Sequence, residues 1–235
     1  MPFTRHLDAS FPRVWDRWEA DGTSWTIEDL PPGDEDEALD ILLKYQCPEE
    51  ILLVLNNMLG DPVSLETLCQ VFRYFFQQRL TLACYAQTGG DKKLVALNVC
   101  GVKIKGEELN FESKADNFIN LLQTSLYLDA KANSLEYLDI DKALIAVGLV
   151  VRKEYRGAGL GCKLLAARYL LEPLCRFLGI KGTATTFTSI PAQKSAARCG
   201  FTTILELTIR ELSEAGFNYP KDDNRILKVM VNKYE

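Results

Sequence analysis

The sequence predicts a mixed α/β (α+β) domain, a central sheet with helices on its faces, and three observations carry that reading. Residues 143–151, ALIAVGLVV, form a nearly continuous apolar run of strand length, as expected of a strand covered on both sides. Two further strand-like runs, 80–86 and 94–104, flank QTGGDKK, whose Gly89-Gly90 pair is a hairpin signal. Between such runs lie segments with apolar residues at helical spacing, the pattern of helices laid against a sheet.

Taken in order, SWTIED at 24–29 alternates well enough for a first strand, and prolines 31 and 32 end it. Asp34 to Glu37 then place negative charge where a helix start favours it, and Ala38, Ile41, Leu42 and Tyr45 recur at helical spacing. A second helix is expected from Ser64 as N-cap, with Glu66 in its first turn. The hairpin follows, then a helix over 115–130 and the apolar strand 143–151. The next helix runs through CKLLAARYLL and is expected to break at Pro173, which cannot continue the backbone ladder. IKGTATTFT (180–188) is a strand, PAQKSAARC a short helix stopped by Gly200, and 201–209 and 225–234 are the closing strands. No repeat or linker divides the chain, so residues 23–235 are expected to form one domain behind an N-terminal extension, 1–22.

Composition narrows the function. A hydrophobic fraction of 47% with 25% charged residues fits a globular protein, and a net charge of −5 disfavours a nucleic-acid partner. No apolar run reaches the ~20 residues of a membrane span, and the N-terminus lacks a signal-peptide core, so a cytoplasmic, monomeric protein is expected. The seven cysteines form no CxxC pair and read as free thiols; with one histidine, His6, the chain has no metal site or Ser-His-Asp triad to offer.

The most informative stretch is VVRKEYRGAGLGCKLL, 150–165, where a buried strand runs into a glycine-rich turn and a helix. The first N–H groups of a helix have no internal partner, and glycines let an anion approach them closely. Arg156 adds a permanent positive charge. A dinucleotide loop needs glycine at its first, third and sixth positions, but counting from Gly157 the sixth is Cys162. A Walker loop needs Gly-Lys-Ser/Thr, but Lys163 follows Cys162 and precedes Leu164.

Arg156-Gly157-Ala158-Gly159-Leu160-Gly161 does resemble the Arg/Gln-x-x-Gly-x-Gly/Ala pyrophosphate loop of the GCN5-related N-acetyltransferase (GNAT) superfamily. SIPAQKSAARCGF, about 40 residues on, is similar to the superfamily's short helix ending in Gly-Phe before a strand. KYQCPEEILL and the length of the tail resemble the insect arylalkylamine N-acetyltransferase-like branch. The likeness spans roughly 24–235, and the first 20 residues have no counterpart in it.

This resemblance implies a mostly antiparallel sheet of about seven strands and acetyl-CoA as co-substrate, with no metal. The backbone of Leu149, Val150 and Val151 would hold the pantetheine arm, and Arg156 with residues Gly157, Ala158, Gly159, Leu160 and Gly161 the pyrophosphate. Glu50 matches the family's general base, Glu49 the aspartate before it, and Ile51 replaces the proline after it. The family's tyrosine acid is replaced by Ala196. Of the two serine positions in the insect branch, Thr188 keeps a hydroxyl and Ala192 does not, which leaves Thr188 as the candidate proton donor. Direct transfer of an acetyl or longer acyl group to a small primary amine is implied, either an arylalkylamine or a polyamine or agmatine. Tyr45, Phe217 and Tyr219 are aromatic candidates for the acceptor side. A cofactor-binding regulatory module and a protein N-terminal or lysine acetyltransferase are the alternatives.

Overall fold

The computed structural model describes residues 3–107 and 111–234. The elements in chain order are β1 (Val14–Ala20), β2 (Thr23–Asp29), α1 (Glu35–Ile41), α2 (Ile51–Leu55), α3 (Pro62–Gln77), β3 (Leu82–Thr88) and β4 (Asp91–Ile104). Then come α4 (Asp116–Ala132), α5 (Ser134–Leu138), β5 (Lys142–Val151), α6 (Leu160–Leu170), α7 (Glu172–Phe177), β6 (Gly182–Phe187), α8 (Ile190–Arg198), β7 (Thr202–Thr208), α9 (Ile209–Glu214) and β8 (Ile226–Lys233). The described strands form one eight-stranded sheet in the order β1-β2-β3-β4-β5-β6-β8-β7. Every neighbouring pair is antiparallel except β5 and β6.

The eighth strand is β1, which lies inside the stretch 1–22 that the sequence sets apart as an extension. Residues 14–20 alternate poorly, because an edge strand faces solvent and needs little apolar patterning. The segment is pinned instead by polar contacts to Asp29, which is 1% exposed. Arg5 donates to both of its carboxylate oxygens at 2.9 Å, and the Trp15 indole N–H donates at 2.8 Å.

Two other expectations shift. The first residue of α3 is Pro62 and its N-cap is Asp61, which accepts from the Val63 N–H; Ser64, expected as the cap, donates its hydroxyl to Asp61 instead. α6 ends at Leu170 and α7 starts at Glu172, so the break anticipated at Pro173 falls just before it. The hairpin is as expected: Thr88 pairs with Asp91 across Gly89 and Gly90, both at positive φ (61° and 98°).

Side chains alternate across the sheet, and each face is covered. Ala83, Tyr85, Leu97, Val99 and Val150 pack with α1 and α3 residues such as Ile41, Phe72 and Phe76. Cys84, Ala86, Ala96, Cys100 and Leu144 pack with Leu160, Leu164 and Ala167 of α6 on the other face.

The feature that positions the site is the parting of β5 from β6. The two strands pair only at Leu144–Thr183 and Ile145–Ala184. Beyond that point β5 stays with β4 as far as Val151, and β6 stays with β8 as far as Phe187. The register between β4 and β5 slips where Val99 faces Gly148 and Cys100 faces Ala146, which leaves Val147 as an extra residue. Such a bulge bends and over-twists a strand. It accounts for the second half of β5 swinging away from β6 and leaving a V-shaped gap.

Candidate active site

The glycine turn sits at the mouth of this gap. α6 begins directly after Gly159, which has φ +75° and gives the helix no side-chain cap. A Cβ built on Gly157, Gly159 or Gly161 would meet nothing within 4 Å, so the backbone there faces open space. Gly157 and Gly159 also adopt positive φ, which only glycine takes without strain. An uncapped helix start, bare of side chains and open to solvent, fits a phosphate group. Ala158 is exposed at the tip, whereas Leu160 is buried in the core under α6 and offers only its backbone.

Arg156 stands at the edge of this cradle with two partners. Its Nε donates to the Val151 carbonyl at 3.0 Å, and its Nη1 to Glu49 Oε2 at 2.8 Å. Lys153 reaches the other Glu49 oxygen at 3.4 Å. Desolvation works against the Glu49 charge, but Arg156 and Lys153 outweigh it and hold the carboxyl below its ordinary range. Glu49, the alternative to Glu50 as base, is thus a surface ion-pair partner.

Along the gap, the β6-facing edge of β5 beyond Ile145 has no strand partner, and of the backbone at Leu149, Val150 and Val151 the Val151 carbonyl is engaged by Arg156. The Val150 side chain is buried in the core, whereas Leu149 and Val151 are half-buried along the gap. An extended chain carrying amide groups could pair there as an added strand.

Glu50 lies at the opposite side of the sheet opening, as N-cap of α2, with Oε2 accepting from the Leu53 N–H at 2.7 Å. Its Oε1 is buried and has no hydrogen-bond partner among the described residues. Burial raises the Glu50 pKa, against the smaller pull of the Thr188 hydroxyl and the Leu53 and Leu52 N–H groups. The structure therefore brings Glu50 and Thr188 together across 138 residues of sequence, in a polar contact looser than a full hydrogen bond. The capping work that could have occupied Thr188 falls to Ser189, which accepts from the Ala192 N–H at 3.4 Å.

Sequence reasoning missed the polar network behind Glu50. The Tyr219 hydroxyl accepts from Asn56 Nδ2 at 3.0 Å and is 2.9 Å from Thr124 Oγ1, while Asn120 bridges to Asn56 Oδ1 at 2.7 Å. Burial raises the Tyr219 pKa and the Glu50 charge adds to it, so the phenol sits within the carboxylate's field. Tyr219 itself was among the aromatic candidates; its partners Asn56, the C-cap of α2, and Thr124 of α4 carry no motif. Phe217 packs on Tyr127 with ring centroids 5.1 Å apart, and Tyr45 is half-buried against the α1–α3 core, beside Lys44. The second missed residue is Gln46, whose Nε2 donates to the carbonyl of the bulged Val147 at 3.2 Å.

Comparison with solved structures decides the fold. The mosquito (Aedes aegypti) protein named arylalkylamine N-acetyltransferase 7 superposes with a TM-score of 0.89 at 27% identity, over 99% of this chain and 100% of that one. This chain has the GNAT fold. Within it, the chain resembles the insect arylalkylamine N-acetyltransferase branch. Arylalkylamine N-acetyltransferase 2 of Aedes aegypti matches at TM-score 0.74 and 20% identity over 90% and 99% of the two chains. The polyamine N-acetyltransferase of Drosophila melanogaster, described as forming N-acetylagmatine, matches at 0.69 and 17% over 89% and 99%. No known family profile and no curated protein sequence matches the chain. The first of these GNAT structures spans 99% of the chain, so the likeness takes in β1 as well as the domain read from sequence. Among the described residues, no helix is long and apolar enough to cross a membrane, and no three His, Cys, Asp or Glu residues group as metal ligands.

Proposed function

We propose that this protein transfers an acetyl group from acetyl-CoA to the nitrogen of a small primary amine, an arylalkylamine or a compact aliphatic amine. The GNAT fold and the branch it resembles make the protein an acyltransferase. The observation that carries the finer reading is Glu50: a buried carboxylate with one unpartnered oxygen, set where β5 and β6 part.

The donor supplies an activated thioester. The chain's residues do the rest. The first N–H groups of α6, with Arg156 beside them, hold the pyrophosphate, and the free edge of β5 at Leu149, Val150 and Val151 aligns the pantetheine arm. An alkylamine is protonated near pH 7 and must lose a proton to attack. Glu50 Oε1 takes that proton, and burial, by raising its pKa toward neutrality, makes it a stronger base than an exposed glutamate. The Thr188 hydroxyl orients the carboxyl and is the candidate donor toward the leaving group. The buried Tyr219 and the half-buried Phe217 supply apolar surface near Glu50 that suits an aromatic ring.

The test is thiol release from acetyl-CoA over a panel of phenylethylamine, tryptamine, putrescine and agmatine, with wild type and Glu50→Gln. The reading expects turnover with at least one amine and its collapse in the variant. Stabilisation by acetyl-CoA with no turnover on any amine would turn the reading toward a binding module.

A further inference from the structure

Among the described residues, Arg168 is the one large charged side chain in the most deeply buried set, 1% exposed, on the sheet-facing side of α6. Its Nε donates to Asn98 Oδ1 at 2.8 Å, and its Nη1 to Thr183 Oγ1 at 3.0 Å and Thr185 Oγ1 at 2.9 Å. Nη2 is buried and makes no hydrogen bond, and among the described residues no carboxylate pairs with the guanidinium, which lies over the Phe201 ring with Cζ 5.6 Å from its centroid. The titratable groups around it do not supply a counter-charge. Burial raises Cys100 on β4, Tyr234 after β8, and Cys199 at the end of α8, the last to about 11, so all three stay neutral at physiological pH. The Phe201 ring and three neutral acceptors offset part of the cost, but a buried cation with no counter-charge and an N–H left without an acceptor is still costly to fold around.

Its position follows from its partners. Asn98, which accepts from Arg168, donates through Nδ2 to the Gly148 carbonyl at 2.7 Å. Gly148 lies on the half of β5 that has left β6. Thr183 belongs to the last pairs that join β5 to β6, and Thr185 is the first β6 residue beyond them. The guanidinium therefore spans the closed end of the V from one arm to the other, on the α6 face. The small Ala146 side chain lies in the cluster on this same face. Along the helix, Arg168 is eight residues past Leu160, about 12 Å from the helix start at 1.5 Å per residue. An extended arm anchored at the glycine turn covers a similar distance, about four residues of strand, before it reaches the apex.

Glu50 and Arg168 thus flank the apex from opposite faces, one with a free acceptor and the other with a free donor. We propose that Arg168 is a catalytic residue whose Nη2 binds the sulfur of the leaving group and stabilises it as the thiolate. This rests on the acetyl-CoA reading above. In the step it assists, the amine nitrogen forms a bond to the acyl carbon and the carbon–sulfur bond breaks. The electron pair of that bond goes to sulfur. Glu50 passes the ammonium proton to solvent before attack and takes the second nitrogen proton as the amide forms. The thiolate can then take its proton from solvent or from Thr188 after the bond breaks, so the step does not depend on a dedicated acid at Ala192 or Ala196 of α8. A fixed cation at developing negative charge lowers the barrier without reorganising at the moment of reaction.

The test is a spectroscopic titration of the bound product. CoA and desulfo-CoA, which lacks the thiol, are each bound to the wild-type protein. The thiolate absorbance near 240 nm is followed with pH, and the desulfo-CoA complex is subtracted to remove the protein's own cysteines. The expected result is a bound thiol that titrates at least about one pH unit below that of free CoA. Arg168→Met should abolish the shift and lower kcat about 10²-fold with little change in the KM of acetyl-CoA, and Arg168→Lys should recover part of both. A wild-type complex in which the thiol titrates at or above its free value overturns the proposal, whether or not the variants fold. Failure of both CoA and desulfo-CoA to stabilise the protein removes the acetyl-CoA reading itself, and the proposal with it.

Discussion

The donor end and the acceptor end of the site are built on opposite principles. At the glycine turn the chain withdraws its side chains: Gly157, Gly159 and Gly161 leave open space, and in the proposed reaction the backbone does the binding. At Glu50 the chain crowds in, and the proposed reaction rests on one carboxylate whose charge is made costly by burial. The first design tolerates little change in backbone shape but much in the surroundings. The second depends on a single side chain and the packing that desolvates it. The donor end should therefore fail through affinity and the acceptor end through turnover.

The largest expected effect tests that division. Glu50→Gln should lower kcat by about 10²- to 10³-fold near neutral pH. It should leave the thermal stabilisation by acetyl-CoA intact, and the rise in rate with pH that reflects ionisation of Glu50 should flatten. A variant whose loss lies mainly in donor affinity would break the comparison. Next, Gly159→Val forces a β-branched residue to φ +75° at the entrance to α6. Strain of about 1–2 kcal/mol, added to a Cβ in the phosphate's path, should raise the KM for acetyl-CoA at least about tenfold with kcat largely kept.

A sharper contrast comes from Gly161, which lies within α6 and has room for a Cβ. Gly161→Ala should stabilise the free protein by up to about 1 kcal/mol while weakening acetyl-CoA binding, measured as a higher Tm without ligand and a smaller ligand-induced rise. The mirror effect is expected at Glu50. Its folded pKa is raised, so between the unfolded and folded values the folded state binds more protons, and stability falls as pH rises through that window. Glu50→Gln should therefore raise Tm at pH 8 and give no gain below about pH 4, where the carboxyl is protonated in both states. The smallest change is Glu49→Gln. Glu49 is exposed and its ion pairs are screened, so stability should move by less than about 0.5 kcal/mol and donor affinity only a few-fold.

The same contrast explains what the sequence makes legible. The glycine loop is contiguous and its spacing is dictated by backbone chemistry, so Arg156 to Gly161 can be read directly, as can the apolar strand before it. Glu50 and Thr188 needed a family resemblance, because a lone glutamate or threonine carries no spacing of its own. The Tyr219–Asn56–Thr124 network and Arg168 were out of reach. Their partners come from distant elements, and an arginine between Ala167 and Tyr169 in an apolar helix looks like a solvated position until the helix is seen to face it inward. β1 was missed for the opposite reason: an edge strand needs no apolar rhythm, and its anchor is the buried Asp29.

That anchor bears on how readily the sheet edge of one copy could pair with that of another. β1 gives the sheet a rim bearing Asp16, Arg17 and Glu19, and the register slip between Val14 and Asp16 roughens it further. Both features discourage strand-to-strand pairing between molecules. Behind it lies β2, with Trp25 and Ile27 buried and a regular ladder to β3. A chain trimmed before Thr23, or one in which Asp29 can no longer hold Arg5 and Trp15, would present β2 as its rim. Colloidal behaviour, rather than catalysis, is where the first twenty residues should make themselves felt.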